Sequence, residues 1–298
     1  MKQLRYRSLI GLLGPFFLCF VLFWLVPLIG GVRLSFYANT LVGEGSFVGF
    51  DHYRALLDDA RYFKAIRNTS IYALGSLLCI LPLSLVLAHA LQSLASRWRS
   101  VIQFVLLVPG LTPPAVLALL FLLVFHGRAG LLNQWFVMPL GGQPINWLKD
   151  PDVILAALVL QCIWRWLGFI TFFVHSGMQA IPSMYYEALQ IESRHPWHRF
   201  WWVTLPGLRH VLLFCLIYLI VDAFALFSGA YVLLGGSGGT ADAGLMLVSY
   251  LYQSALTFGR FGSAAAMGIA IAPCLLGVLG LMAWFGRKYS QQTGGSKA

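Results

Sequence analysis

Arg165 and Asp222 each lie inside a long apolar run of a chain in which only 10% of residues are charged. A charge at the centre of a membrane span costs about 2.5–3.5 kcal/mol on insertion scales, so such a residue needs a partner or a polar route. One reading pairs Arg165 with Asp222 along a translocation route, with Gln161 or Tyr218 nearby to hydrogen-bond a polar solute. A second makes them a buried ion pair that only fixes helix register. A third shifts the spans and leaves Arg165 nearer the interface. The sequence leaves all three open.

Other chemistries are quickly weighed. Gly235-Gly236-Ser237-Gly238-Gly239 fits the G-x-S-x-G spacing of a serine nucleophile. That nucleophile needs a histidine on a neighbouring span to activate it. The last apolar run has none, and His89 and His175 fall at the opposite ends of theirs. The glycine stretch is therefore read as a flexible outer loop. His195 and His198 lack the H-E-x-x-H spacing of a zinc helix and are read as solvated loop residues. No G-x-x-x-x-G-K-[ST] phosphate loop occurs, so an ATPase site is not expected in this chain, nor is any bound cofactor. Cys19, Cys79, Cys162, Cys215 and Cys274 all fall in apolar runs without metal-ligand spacing and read as packing residues.

The elements that must position these residues are membrane helices. Hydrophobic residues make up 59% of the 298, and the mean hydropathy is +0.78. A span needs roughly 20 mostly apolar residues. Six runs qualify, at about 9–29, 69–91, 101–125, 153–176, 207–230 and 263–285. Backbone groups in hydrocarbon must be satisfied internally, which predicts an all-α integral membrane protein. The first run is too long for a signal peptide and lacks a small-residue cleavage site, so it reads as an uncleaved helix with its amino terminus in the cytoplasm. The predicted cytoplasmic segments then carry eleven of the twenty Lys and Arg and the outer ones eight, a bias of the expected sign. The formal net charge of +10 fits anionic lipid headgroups rather than nucleic acid.

Along the chain, residues 1–30 form the amino-terminal segment and first span, and 31–68 an outer loop. In that loop Leu56, Leu57, Ala60 and Phe63 predict an amphipathic surface helix. Residues 69–286 form the core, including a cytoplasmic loop at 177–206, and 287–298 form a tail. Asn68-Thr69 is read as a cap opening the second span, and Pro82 as a kink within it. Pro109, Pro113 and Pro114 predict a bend that borders the pathway or is a plain structural kink. The last span carries small residues at every fourth position: Gly262, Ala266 and Ala270, then Ala264, Gly268 and Ala272. That row is a packing face.

The 177–206 loop holds the most charged and aromatic stretch between spans. Pro182 and Ser183 start a helix expected to run to about Arg194, where Pro196 ends it. Met184, Ala188 and Ile191 share one face; Glu187, Gln190 and Arg194 share another. A second short helix follows, with Trp197, Trp201 and Trp202 as interfacial anchors. Such a segment is either a partner-binding helix or a connector lying on the membrane.

The segment reads Glu187-Ala188-Leu189, three residues, Ser193, nine residues, Val203-Thr204-Leu205-Pro206. It resembles the signature loop of membrane subunits of binding-protein-dependent ABC importers: Glu-Ala-Ala, three residues, Gly, nine residues, Ile, any residue, Leu-Pro. The departures are Leu189, Ser193 and Val203. Asn68-Thr69, the Pro109–Pro114 bend, Gly130-Leu131-Leu132-Asn133, Trp164, Gln179-Ala180-Ile181-Pro182, Tyr231-Val232-Leu233-Leu234, Tyr250-Leu251-Tyr252 and Phe261–Ala266 extend the likeness to roughly residues 45–286. They are similar to the maltose/glycerol-3-phosphate/oligosaccharide branch, specifically the first of its two nonidentical membrane chains. The resemblance implies a type I importer permease fold with six transmembrane helices and a cytoplasmic coupling helix. It implies residence in a bacterial or archaeal cytoplasmic membrane. It also implies three kinds of partner: a second related permease subunit, two nucleotide-binding subunits that hold ATP and Mg, and an extracytoplasmic solute-binding protein that the outer loops, with Asp242 and Arg260, would face. Coupling to the ATPase falls on Glu187, Ala188 and Ser193, with Leu189 and Ile191 on the same helix. Ser193 stands where that family has glycine. A secondary transporter or channel is the competing reading; it expects inverted repeats and no docking helix.

Overall fold

The computed structural model describes residues 13–39, 45–193 and 195–294, with the side chains of Pro196 and of 285–294 excluded. In chain order the helices are α1 (Leu13–Leu34), α2 (Asp51–Leu57), α3 (Ala60–Gln92), α4 (Ser96–Leu111), α5 (Pro114–Val124), α6 (Ile154–Gln179), α7 (Ser183–Glu192), α8 (Trp197–Phe224), α9 (Ser228–Leu233), α10 (Leu247–Tyr252) and α11 (Phe261–Gly294). Among the described residues the β content is one antiparallel bridge, Tyr37 to Phe47. Five helices are long and apolar enough to cross a membrane: α1, α3, α6, α8 and α11 over Phe261–Trp284. α4 and α5 make a sixth if the bent pair counts as one span. The all-α membrane fold is thus as expected, with shifted boundaries.

The shifts have physical causes. The predicted surface helix is split: α2 ends at Leu57, and Ala60 opens a helix that runs unbroken through Pro82 to Gln92. Asn68 and Thr69 therefore lie inside α3 rather than at its start, and both are buried. The expected proline bend is sharp. α4 and α5 diverge by 99° across Thr112-Pro113, where Thr112 and Pro113 adopt extended ψ values. A residue before proline is pushed out of the helical region, and Thr112 precedes one. α8 begins ten residues earlier than expected. Pro206 lacks the N–H for an ordinary helical bond, and the wide turn at Phe200–Thr204 lets the helix carry through it. The predicted second short helix is thus the first turns of the fifth span. That span ends at Phe224, which leaves Asp222 near a helix end instead of mid-span.

The described chain divides into two compact units. The smaller holds the described residues up to Ala60 with Leu251–Leu275. There Asn39 Oδ1 accepts the Ser263 N–H at 3.0 Å, and His52 bridges the Tyr37 carbonyl and the Ser263 hydroxyl. Gly262 fits because any Cβ would collide with the Tyr37 carbonyl and the His52 ring. Ala264 and Ala266 are buried, as the small-residue row predicted.

The larger unit holds Arg61–Tyr250 with Leu276 onward. α6 is its central post, packed by α4 and by α8, while α9 packs on α5. α4 comes so close that a Cβ at Gly168 would overlap the Leu106 carbonyl oxygen. Leu158, Cys162, Trp166, Ile170 and Val174 form a buried row at every fourth residue of α6. Lipid is as apolar as these side chains, so shape fit and hydrogen bonds rather than water exclusion hold such helices together. Asn133 shows the second term. Fully buried, it donates to the carbonyls of Gly127 (2.7 Å) and Ile145 (2.9 Å) and accepts from the N–H of Ile145 and the indole of Trp147 (both 3.1 Å).

Candidate coupling and translocation sites

α7 connects α6 to α8. Pro182 precedes it with extended ψ, and Glu192 ends it, two residues short of the expected end; Arg194 lies outside the described residues. No residue of α7 is buried. Glu187 and Ala188 are exposed, and Ile191 is 89% exposed, an unusual position for an isoleucine. Leu189 is half-buried and turns inward with Tyr186, whose hydroxyl meets the Thr204 hydroxyl at 3.1 Å. The Arg199 guanidinium lies 5.4 Å from the centre of the Tyr186 ring. These contacts hold α7 by one side and leave Glu187 and Ile191 on open surface.

Ser193 takes an extended conformation (φ −155°, ψ 129°) that any residue adopts, so this turn does not need glycine. Its N–H bonds to the Leu189 carbonyl at 2.8 Å, closing the helix. Its hydroxyl lies 2.6 Å from His198 Nδ1 and accepts the His195 N–H at 3.3 Å. The two histidines are exposed as expected, but His198 serves the turn.

The second cluster is on α6 and α8. The direct Arg165–Asp222 ion pair is not formed. Instead the Trp166 indole donates to Asp222 Oδ2 at 2.7 Å, and the Arg165 guanidinium stacks 4.4 Å from the Trp166 ring centre. A tryptophan therefore stands between the two charges. Tyr218 lies edge-on to Trp166 at 5.1 Å and beside Phe169 at 5.2 Å, in an aromatic cluster. Gln161 and Arg165 line one small cavity of about 10 Å³ with Tyr72, Pro114, Leu117 and Gly229. Gln161 Nε2 and Arg165 Nε are shielded there without a hydrogen-bond partner in the structure. A space of that size holds about one water molecule. The structure thus joins Gln161 to Arg165 and Tyr218 to Trp166 and Asp222. The residue that links the two pairs, Trp166, was not singled out from the sequence; its place in the buried fourth-residue row of α6 was the available signal.

The glycine loop is clamped rather than free. Arg61 grips Asp242 with two 2.8 Å bonds, Lys64 donates to the Ala241 carbonyl, and Asn68 donates to those of Asp242 and Leu245. Thr69 accepts the Leu247 N–H at 3.0 Å. The loop turns through left-handed conformations at Gly235, Gly236, Gly238 and Gly239, and also at Ala241 and Asp242. Ser237 spends its hydroxyl on the Leu234 carbonyl, within its own turn.

Residues 80–291 match the family described as the binding-protein-dependent transport system inner membrane component, and the chain belongs to it. It is 33% identical over 263 residues to the arabinooligosaccharides transport system permease protein AraP of Bacillus subtilis (strain 168), covering 88% of this chain and 83% of that one. It is 30% identical over 272 residues to the trehalose/maltose transport system permease protein MalF of Thermococcus litoralis, covering 90% of each. Its fold matches a chain of the bacterial alginate ABC transporter solved with an alginate pentasaccharide-bound periplasmic protein. That match has a TM-score of 0.79 at 22% identity and covers 97% of this chain and 96% of that one. The chain is accordingly a multi-pass membrane permease of the ABC importer class.

Proposed function

We propose that this chain is one membrane subunit of an ATP-driven, binding-protein-dependent importer of a carbohydrate or related polar solute. The observation that carries the reading is α7, a membrane-protein helix with no buried residue that presents Glu187 beside the exposed Ile191. With Met184, Tyr185 and Ala188 also exposed on the same short helix, the apolar surface there is a patch rather than a lone side chain, and such a patch next to a charge marks an interaction site. The chain forms half of the translocation pathway with a second, related permease subunit. Two nucleotide-binding subunits carry ATP and Mg, and an extracytoplasmic solute-binding protein delivers the solute. Both termini lie in the cytoplasm and the spans cross the inner membrane. The sugar-transport names of the relatives support the substrate class.

The inferred mechanism is conformational. ATP binding closes the partner subunits, α7 travels with them, and α6 and α8, which flank it, tilt between outward- and inward-facing arrangements. Glu187 is the charged anchor of that joint. Gln161, Arg165, Tyr218 and Asp222 border the route, where a polar solute would meet the unpaired groups of Gln161 and Arg165. The test is ATPase activity of the reconstituted complex with and without solute-loaded binding protein. Truncating one member of a desolvated charge pair costs about 2–5 kcal/mol of docking. Wild type should be stimulated, and Glu187→Ala should uncouple or fail to assemble. A complex that assembles without ATPase activity, or is indifferent to Glu187→Ala, would refute the proposal.

A further inference from the structure

Helices α3, α5, α6 and α9 of the larger unit meet around the cavity of about 10 Å³ that Gln161 and Arg165 share. The two residues are one turn apart on α6, near the middle of its 26 residues. Gln161 is 6% exposed, and its Nε2 and the Arg165 Nε are shielded with no protein atom to accept their hydrogens. In a space the size of about one water molecule, two such donors serve a single occupant. The other end of the Gln161 amide is turned to α9, where a Cβ on Gly229 would lie 3.4 Å from Oε1. Tyr72 and Cys162 add an O–H and an S–H to the wall. The remaining side chains are apolar apart from Trp166, whose N–H is spent on Asp222. No carboxylate is among the lining residues.

Arg165 also brings a positive charge that stacks on Trp166 and forms no ion pair among the described residues. A charge at that depth of a span calls for a counter-charge or a polar route. We propose that the cavity binds one small monatomic anion, chloride in the cell, held by the Gln161 Nε2–H and the Arg165 Nε–H. A water molecule accepts two hydrogens but must place two of its own, in a wall made mostly of donors; a halide only accepts. Burying a lone anion is costly, but this one neutralises a charge that the span already carries, through charge-assisted bonds. The site stands without the function proposed above. One consequence does rest on that function: the anion keeps the two groups satisfied until the solute meets them.

The full chain, purified in detergent, is melted in sodium chloride or bromide against sodium gluconate at equal ionic strength, gluconate being too large for the cavity. A ligand that binds only the folded form raises the melting midpoint. The midpoint should rise and saturate with chloride and with bromide, and stay flat in gluconate. Gln161→Leu removes one donor at similar size and should weaken the apparent halide affinity about tenfold, the weight of one charge-assisted bond. Arg165→Gln should abolish the dependence. Gly229→Ala puts a methyl group into the cavity, leaves both donors in place and should abolish it too; it serves if the charge variant does not fold. In crystals soaked in bromide, an anomalous peak should lie between Gln161 and Arg165. A wild-type midpoint indifferent to halide shows that the cavity holds only water and overturns the proposal. So does a halide shift that survives in both Gln161→Leu and Gly229→Ala, which is a general salt effect. Neither readout depends on ATPase activity, so failure here and failure of the transport reading are separate results.

Discussion

At the residue scale the decisive contact is between Trp166 and Asp222. Two opposite charges on neighbouring spans read naturally as a pair, and the sequence carried Arg165 and Asp222 that far. The structure inserts an indole, which satisfies the carboxylate through one N–H and offers its face to the guanidinium. Cation–π contacts of this kind are worth about 2 kcal/mol or more when desolvated. Trp166→Phe keeps a ring under Arg165 but removes the donor, leaving a half-buried carboxyl oxygen short of a bond. Hydrogen bonds to charged groups contribute about 1.5–3 kcal/mol, so the variant should unfold that much more easily in detergent. The readout is the melting midpoint of the purified chain, and no shift would mean the bond is inconsequential. Trp166 was legible as one of the fourth-residue row of α6, but nothing in that position tells a packing ring from a donor to a carboxylate. Ser193 shows the reverse. The sequence made it look costly where the related loops have glycine, but an extended backbone removes that cost.

Elements were more legible than their ends. Six apolar runs gave the spans, and three prolines gave the bend between α4 and α5. The boundaries moved where side chains outside the apolar pattern took over. Arg61, Lys64 and Asn68, three, four and seven apart, put one polar stripe on α3, and that stripe was visible in the sequence. Its occupant, a loop some 175 residues away, was not. The loop pays for its shape at Ala241, whose φ of 52° is left-handed. A non-glycine residue in that region costs roughly 1–2 kcal/mol, and glycine avoids it. The Arg61, Lys64 and Asn68 contacts should hold the backbone in place after substitution, since two of the three reach main-chain carbonyls. Ala241→Gly is therefore expected to stabilise the clamped loop by up to about 1 kcal/mol, less what glycine loses in the unfolded chain. Hydrogen exchange over residues 239–247 reports it; faster exchange in the variant would show that Ala241 is not strained.

For the whole molecule, exposure is the property to explain. No residue in the apolar window of α1 is buried, and α4 buries none at all. Lipid can cover such surface on a span, because apolar side chains there lose nothing by facing hydrocarbon. Ile191 differs, as it sits on the connecting helix between two spans, one turn from Glu187 and 89% exposed. A fully buried isoleucine side chain gains about 1.5–3 kcal/mol over an exposed one, so an assembled partner that covers Ile191 draws that much from it. Ile191→Asp should leave insertion and the melting midpoint of the isolated chain unchanged, since the residue touches little of its own chain. The same change should cut recovery of the nucleotide-binding subunits on co-purification by tenfold or more, because a buried, unpaired carboxylate adds its own penalty to the lost contact. If α7 instead lies on the membrane, an aspartate there would reduce membrane association of the loop while the partner subunits co-purify undiminished. The two outcomes separate a joint built for another protein from a connector built for lipid, and the exposure of a single isoleucine decides which one α7 is.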